Sequence, residues 1–98
     1  MLFSVRVTSN GNNNMLNICD APLLGKELSK DDLTIKINRN YYGERVVEKN
    51  EAMDLLKTHS IINMIGKETV SMCIDLGIGS KQGVKEINDV PFLLVFKM

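Results

Sequence analysis

The chain is short of the residues on which small-protein chemistry is usually built. It holds one histidine, His59, and two cysteines, Cys19 and Cys73, among 98 residues. One imidazole and two distant thiols cannot supply a tetrahedral metal site. No metal and no cofactor is therefore expected. The N-terminal stretch MLFSVRVTSNG has neither a basic region nor an apolar run of signal-peptide length. The longest apolar stretch, Pro91 to Phe96, is far too short to span a bilayer. A cytoplasmic protein with both thiols reduced is the expectation, with no membrane partner and no Cys19–Cys73 disulfide. Charge of one sign is missing too: twelve Lys+Arg balance twelve Asp+Glu, for a formal net charge of zero and a pI near 6.6. Counterion release drives nucleic-acid affinity, so zero excess argues against strong non-specific binding and leaves room for a local basic patch. There is no internal repeat, no linker, and no low-complexity run beyond the NGNNN of residues 10–14.

What remains is ordinary folded-protein composition, 44% hydrophobic and 24% charged. At this length one domain spanning residues 1–98 is expected, burying roughly 60% of the surface that the unfolded chain exposes. Phe3, Val5 and Val7 alternate with Ser4, Arg6 and Thr8, which reads as a half-buried strand. An Asn-Gly turn leads to a return strand, Met15 to Cys19, which ends before Pro22. Leu23 to Leu28 reads as a connector, Leu33 to Ile37 as a third strand, and residues 38–43 as a turn.

The block YYGERVVEKNEAMDLLKTHSIINMIGKETVSMCIDLGIG, Tyr41 to Gly79, reads as a turn, a short strand and two successive helices. Asn50 is the expected N-cap of the first helix, which turns Ala52, Leu55, Leu56 and His59 to one side. Ser60 caps the second, which buries Ile62, Ile65, Thr69, Met72, Cys73 and Leu76 and carries Asn63 and Gly66 at i and i+3. Gly77 stops it. Val84 to Ile87 reads as a short edge strand, and Pro91 to Lys97 as a strand covered on both faces. Strands, two helices, then strands predict an α+β fold: a small, mainly antiparallel sheet with two consecutive helices packed on one side.

Several of these residues carry a resemblance. Cys19-Asp20, Leu24-Gly25-Lys26, Tyr42-Gly43, Ile62-Asn63-x-x-Gly66-x-x-x-Val70 and the closing Val90-Pro91 are similar to a small archaeal family catalogued only as a domain of unknown function. The resemblance runs over nearly the whole chain. It implies a compact α+β domain in an archaeal cytoplasm, and no activity. Members of that family often carry a His directly after the closing Pro, where this chain has Phe92.

The richest candidate site is the segment from Ile35 to Arg45. It gathers Lys36, Arg39 and Arg45 with Tyr41 and Tyr42, against the single carboxylate of Glu44. Nucleic-acid binding needs cations for phosphates and flat rings for unstacked bases. The bland alternative is a solvated strand edge with tyrosines over the core. Residues 77–83 lack the preceding strand that a phosphate loop requires and read as a helix C-cap. His59 sits at a helix end, and Cys19 beside Asp20 is a poor thiolate. Three readings stay open. One is a non-enzymatic binding module for RNA or a ribonucleoprotein. Another is a structural or regulatory protein-interaction subunit that self-associates through the last strand. The third is an enzyme with a dispersed site.

Overall fold

The structure, a computed structural model, describes residues 1–97 apart from the side chain of Asn10. Two antiparallel strands open the chain, β1 (Leu2–Asn10) and β2 (Asn13–Asp20), joined by the two-residue turn Gly11-Asn12. A 3-10 turn at Ala21–Leu23 leads to a separate hairpin, β3 (Glu27–Lys30) and β4 (Leu33–Lys36). A one-turn helix, α1 (Arg39–Tyr42), is capped by the Asn38 side chain accepting from Tyr41 N. Then come β5 (Arg45–Glu48), α2 (Lys49–Thr58), β6 (Ile61–Ile65) and α3 (Lys67–Asp75). The chain closes with β7 (Lys85–Ile87) and β8 (Val90–Phe96).

Six strands form one sheet in the order β5-β1-β2-β6-β8-β7. Among the described residues only β2 and β6 pair in parallel. That pairing follows from connectivity: α2 carries the chain from β5 at one edge, past β1 and β2, to β6 in the middle. A crossover of this kind returns the chain parallel to its start. The sheet is thus mainly antiparallel with α2 and α3 on one face, the α+β architecture that the order of elements implies.

Period two separates two cores. On one face Phe3, Val5, Leu16, Ile18, Ile62, Met64 and Leu93 pack against Ala52 and Leu56 of α2 and Val70, Met72 and Cys73 of α3. On the other face Cys19 and Ile65 are covered by Leu28 of the hairpin, by Ile37 just after it and by Tyr42 of α1. Strand residues facing both ways are therefore buried in the middle of the sheet, Ile18 and Cys19 in β2 and Met64 and Ile65 in β6.

Several expectations are corrected. The second helix does not begin at Ser60. Residues 61–65 form the central strand β6, and Asn63 and Gly66 share no helix. An apolar run of this length fits a doubly buried strand as well as a helix. Isoleucine at three of its five positions favours the strand, and Gly66 at φ +115° ends it before α3 starts. The Leu23 to Leu28 connector contains a strand of its own. The first helix starts at Lys49 with Glu48 as N-cap rather than Asn50. The closing strand is covered on both faces only in part, since Leu94 and Phe96 are exposed. Gly77, at φ +73°, does end α3, with its N–H and that of Ile78 returned to Ile74 and Cys73 carbonyls.

Met72 and Ile65 sit in the two different cores. Met72→Ala and Ile65→Ala are each expected to lower stability by about 2–5 kcal/mol in urea unfolding. A loss under about half a kcal/mol at Ile65, the usual surface value, would show that the hairpin does not cover that face.

Candidate functional site

The hairpin and α1 cover only part of the second sheet face. Register places its outward residues in cross-strand rows. The covered row runs Val46, Ser4, Cys19, Ile65, Phe92, Lys85. The next row is Arg6, Asn17, Asn63, Leu94, and the outermost is Thr8, Met15, Ile61, Phe96. The middle row is polar and organised. Asn17 Nδ2 donates to Thr8 Oγ1 at 3.3 Å and to Arg6 O at 3.4 Å. Asn63 Nδ2 donates to Asn17 Oδ1 at 3.4 Å and to the Tyr42 hydroxyl at 2.8 Å.

This network leaves three kinds of group over. The Tyr42 oxygen accepts from Asn63, so its proton is available to an outside acceptor. Asn63 Oδ1 accepts from nothing among the described residues. Among the described residues the buried Arg6 Nε has no hydrogen-bond partner and Arg6 forms no ion pair. A buried guanidinium nitrogen without an acceptor costs on the order of 1–3 kcal/mol. A donor, an acceptor and a guanidinium with one unpartnered nitrogen therefore share this row, in which Arg6 and Asn63 are half-buried, Asn17 is buried and Leu94 is exposed.

The segment singled out in the sequence is divided by the fold. Lys36, Arg39 and Tyr41 are exposed on β4 and α1, with Tyr41 58% exposed. Tyr42, only 6% exposed, is part of the second core, so its ring is no stacking surface; only its hydroxyl reaches the open row. Burial, with Cys19 nearby, pushes that hydroxyl up to about 12 despite the Asn63 hydrogen bond. Arg45 stands opposite Val5, on the helix-covered face, where it pairs with Glu51 of α2. It is thereby separated from the other cations. Sequence reading missed Arg6, Asn17 and Asn63 as a group, because only strand register brings them into line.

The Cys19-Asp20 and Asn63-x-x-Gly66 motifs meet at the end of β2 and β6. Cys19 lies opposite Ile65, and Asp20 thus beside Gly66. Asp20 Oδ1 accepts from Thr69 N at 2.8 Å and Thr69 Oγ1 at 2.7 Å, and Oδ2 from Glu68 N at 3.2 Å. Asp20 therefore caps α3 from another strand, satisfying amides that Gly66 has no side chain to reach. A Cβ on Gly66 would collide with the Asp20 carboxylate. Burial, then the Asp20 charge, pushes the Cys19 thiol up to about 12, and burial raises Cys73. Neither is an activated nucleophile. His59 ends α2, its Nδ1 donating to Leu55 O at 2.9 Å. Among the described residues no group of three or more His, Cys, Asp or Glu is placed to hold a metal, and no helix is long and apolar enough to cross a membrane.

Two outcomes follow. Asp20→Ala should destabilise the fold by about 1–3 kcal/mol, the range for leaving helix amides uncapped, in urea unfolding. Stability should also fall as pH rises. Cys19 and Tyr42 hold their protons more tightly folded than unfolded, so the loss begins near their ordinary values of 9.0 and 10.0 and continues to about 12. Cys19→Ala should flatten the lower part of that decline in unfolding titrated with pH.

The fold has a structural likeness among solved proteins. An uncharacterized conserved protein from Methanopyrus kandleri superposes with a TM-score of 0.79 at 20% identity, covering 100% of this chain and 95% of that one. At that identity the likeness concerns the fold alone. No curated protein matches the chain. The family model described as "Protein of unknown function (DUF424)" matches residues 7–98. The Asp20–Gly66 cap, the Asn63–Tyr42 bond and the closing strand all lie within that span, and the chain belongs to the DUF424 family.

Proposed function

We propose that the protein is a non-enzymatic module that binds single-stranded RNA across the uncovered part of its second sheet face. The observation that carries this reading is Arg6, whose buried Nε lacks an acceptor, standing in one row with Asn17 and Asn63. A guanidinium matches a phosphate, and the Asn63 carbonyl oxygen and Tyr42 hydroxyl offer one acceptor and one donor to a base edge or a 2′-hydroxyl. Arg39 and Tyr41 share α1 with Tyr42 and border this row, and Lys36 precedes them on the cover. They supply two further cations and one exposed ring, which suits stacking on an unpaired base. The lack of an activated thiol or a carboxylate–histidine pair in the row favours binding over catalysis.

The test is fluorescence anisotropy with a labelled single-stranded RNA over a salt series. Arg6→Gln should weaken binding and flatten the log–log salt slope by about one unit, as should each of Lys36→Gln and Arg39→Gln. Tyr41→Ala should cost about 1–3 kcal/mol of affinity. Arg45→Gln, on the opposite face, should leave affinity unchanged. Absence of RNA binding by the native chain at low salt would sink the proposal.

A further inference from the structure

The last strand leaves part of its edge unpaired. Lys97 N donates to Ser60 O at 2.8 Å and Gly66 N donates to Pro91 O at 2.9 Å. These bonds fix the phase of the β6–β8 ladder: odd-numbered residues of β8 bond to β6, and Phe92, Leu94 and Phe96 aim their N–H and C=O groups outward. β7 takes up Phe92, opposite Lys85, and extends no further along β8. Among the described residues the outward groups of Leu94 and Phe96 have no backbone partner. Their side chains, 52% and 61% exposed, stand on the second face. Natural sheet edges are blunted by charge, proline or bulges. The opposite edge, β5, carries Arg45 and Glu48, whereas Leu93 to Phe96 is wholly apolar. Beside Leu94 a pocket of about 280 Å³ opens, walled by Asn63, Gly83, Lys85 and Phe92.

We propose that this edge pairs with the same edge of a second copy of the chain, antiparallel, about a two-fold axis through Val95. In that register Leu94 of each copy opposes Phe96 of the other. The two outward donors and two outward acceptors of each copy are then all satisfied across the axis. Directly opposed residues share a face, so each Phe96 ring arrives beside the other copy's Leu94, at the mouth of its pocket. Ring and pocket occur on one chain, at positions symmetric about Val95, as an isologous contact requires. The proposal is independent of RNA binding, and pairing would join two six-stranded sheets into one with a continuous second face.

Sedimentation equilibrium of the full chain without RNA tests it. The expected result is a concentration-dependent dimer of twice 11.0 kDa. Phe96→Lys changes an exposed side chain, so the circular dichroism spectrum should be retained while dimerisation weakens by on the order of ten-fold or more. Val95→Cys reads the register. Opposed residues of a non-hydrogen-bonded pair approach within disulfide range, so mild oxidation should link two copies while the buried Cys19 and Cys73 stay free. If that variant does not fold, a mixture of Leu94→Cys and Phe96→Cys chains reads the same register. A native chain that is monomeric at every concentration overturns the proposal. So does a dimer indifferent to Phe96→Lys, or a folded cysteine variant that forms no cross-link.

Discussion

The Asp20 carboxylate holds the architecture together at its least local point. It ends β2, lies beside Gly66 at the end of β6, and takes three hydrogen bonds from the first turn of α3. One side chain thus fixes where the parallel strand stops, where the helix starts and how the helix sits over the sheet. The geometry tolerates no Cβ at position 66, because the backbone there adopts φ +115° and the carboxylate occupies the space. Neither residue works alone. Gly66 leaves the helix amides uncapped, and Asp20 without them would be a buried charge lacking donors. With α3 anchored this way, Met72 and Cys73 close the first core, and the second face is left to the hairpin and to α1.

That division separates stability from chemistry. The first face is apolar and roofed by two helices. The second is roofed only by short elements, β3–β4 and α1, and stays open where they end. Tyr42 joins the two regimes: its ring fills the small core and its hydroxyl reaches Asn63 in the open row. Arg6 is the odd member of this row. It occupies an interior strand, yet its Nε finds no acceptor among the described residues.

Local period was a good guide and local identity a poor one. Alternation in residues 3–8 and 15–19 reveals β1, β2 and their hairpin, and the 3.6 period of Ala52, Leu55 and Leu56 reveals α2. Residues 61–65 defeated the same reasoning, because a strand buried on both faces has no period to display. Only the crossover from β5 requires a strand there. The candidate segment meets a related limit. Lys36 to Arg45 is compact in sequence, and the fold sends Arg45 to one side of the sheet and Tyr42 into the core. Arg6, Asn17 and Asn63 are 11 and 46 residues apart along the chain and become neighbours only through the β1–β2 and β2–β6 registers. Cys19-Asp20 and Asn63-x-x-Gly66 were visible only as two separate fragments of a resemblance, and their meeting as a helix cap needed the strands to be paired first.

Zero net charge bounds how a nucleic acid could be held on this face. The proposed site counts three cations, Arg6 in the row and Lys36 and Arg39 on the elements that cover the neighbouring face, so counterion release would supply at most about three units of salt slope. Affinity must then come largely from base edges, hydroxyls and one stacking ring, contacts that discriminate more than they attract. A single copy so equipped would bind weakly. Pairing through β8 changes the arithmetic without adding charge. In the paired sheet the two Arg6 rows lie seven strand spacings apart, roughly 34 Å at about 4.8 Å per strand. One flexible strand of RNA can bridge that distance, and the second row then acts on a tethered segment at high effective concentration. On the two proposals together, a neutral domain with a modest site and an open edge would gain its affinity by doubling the site.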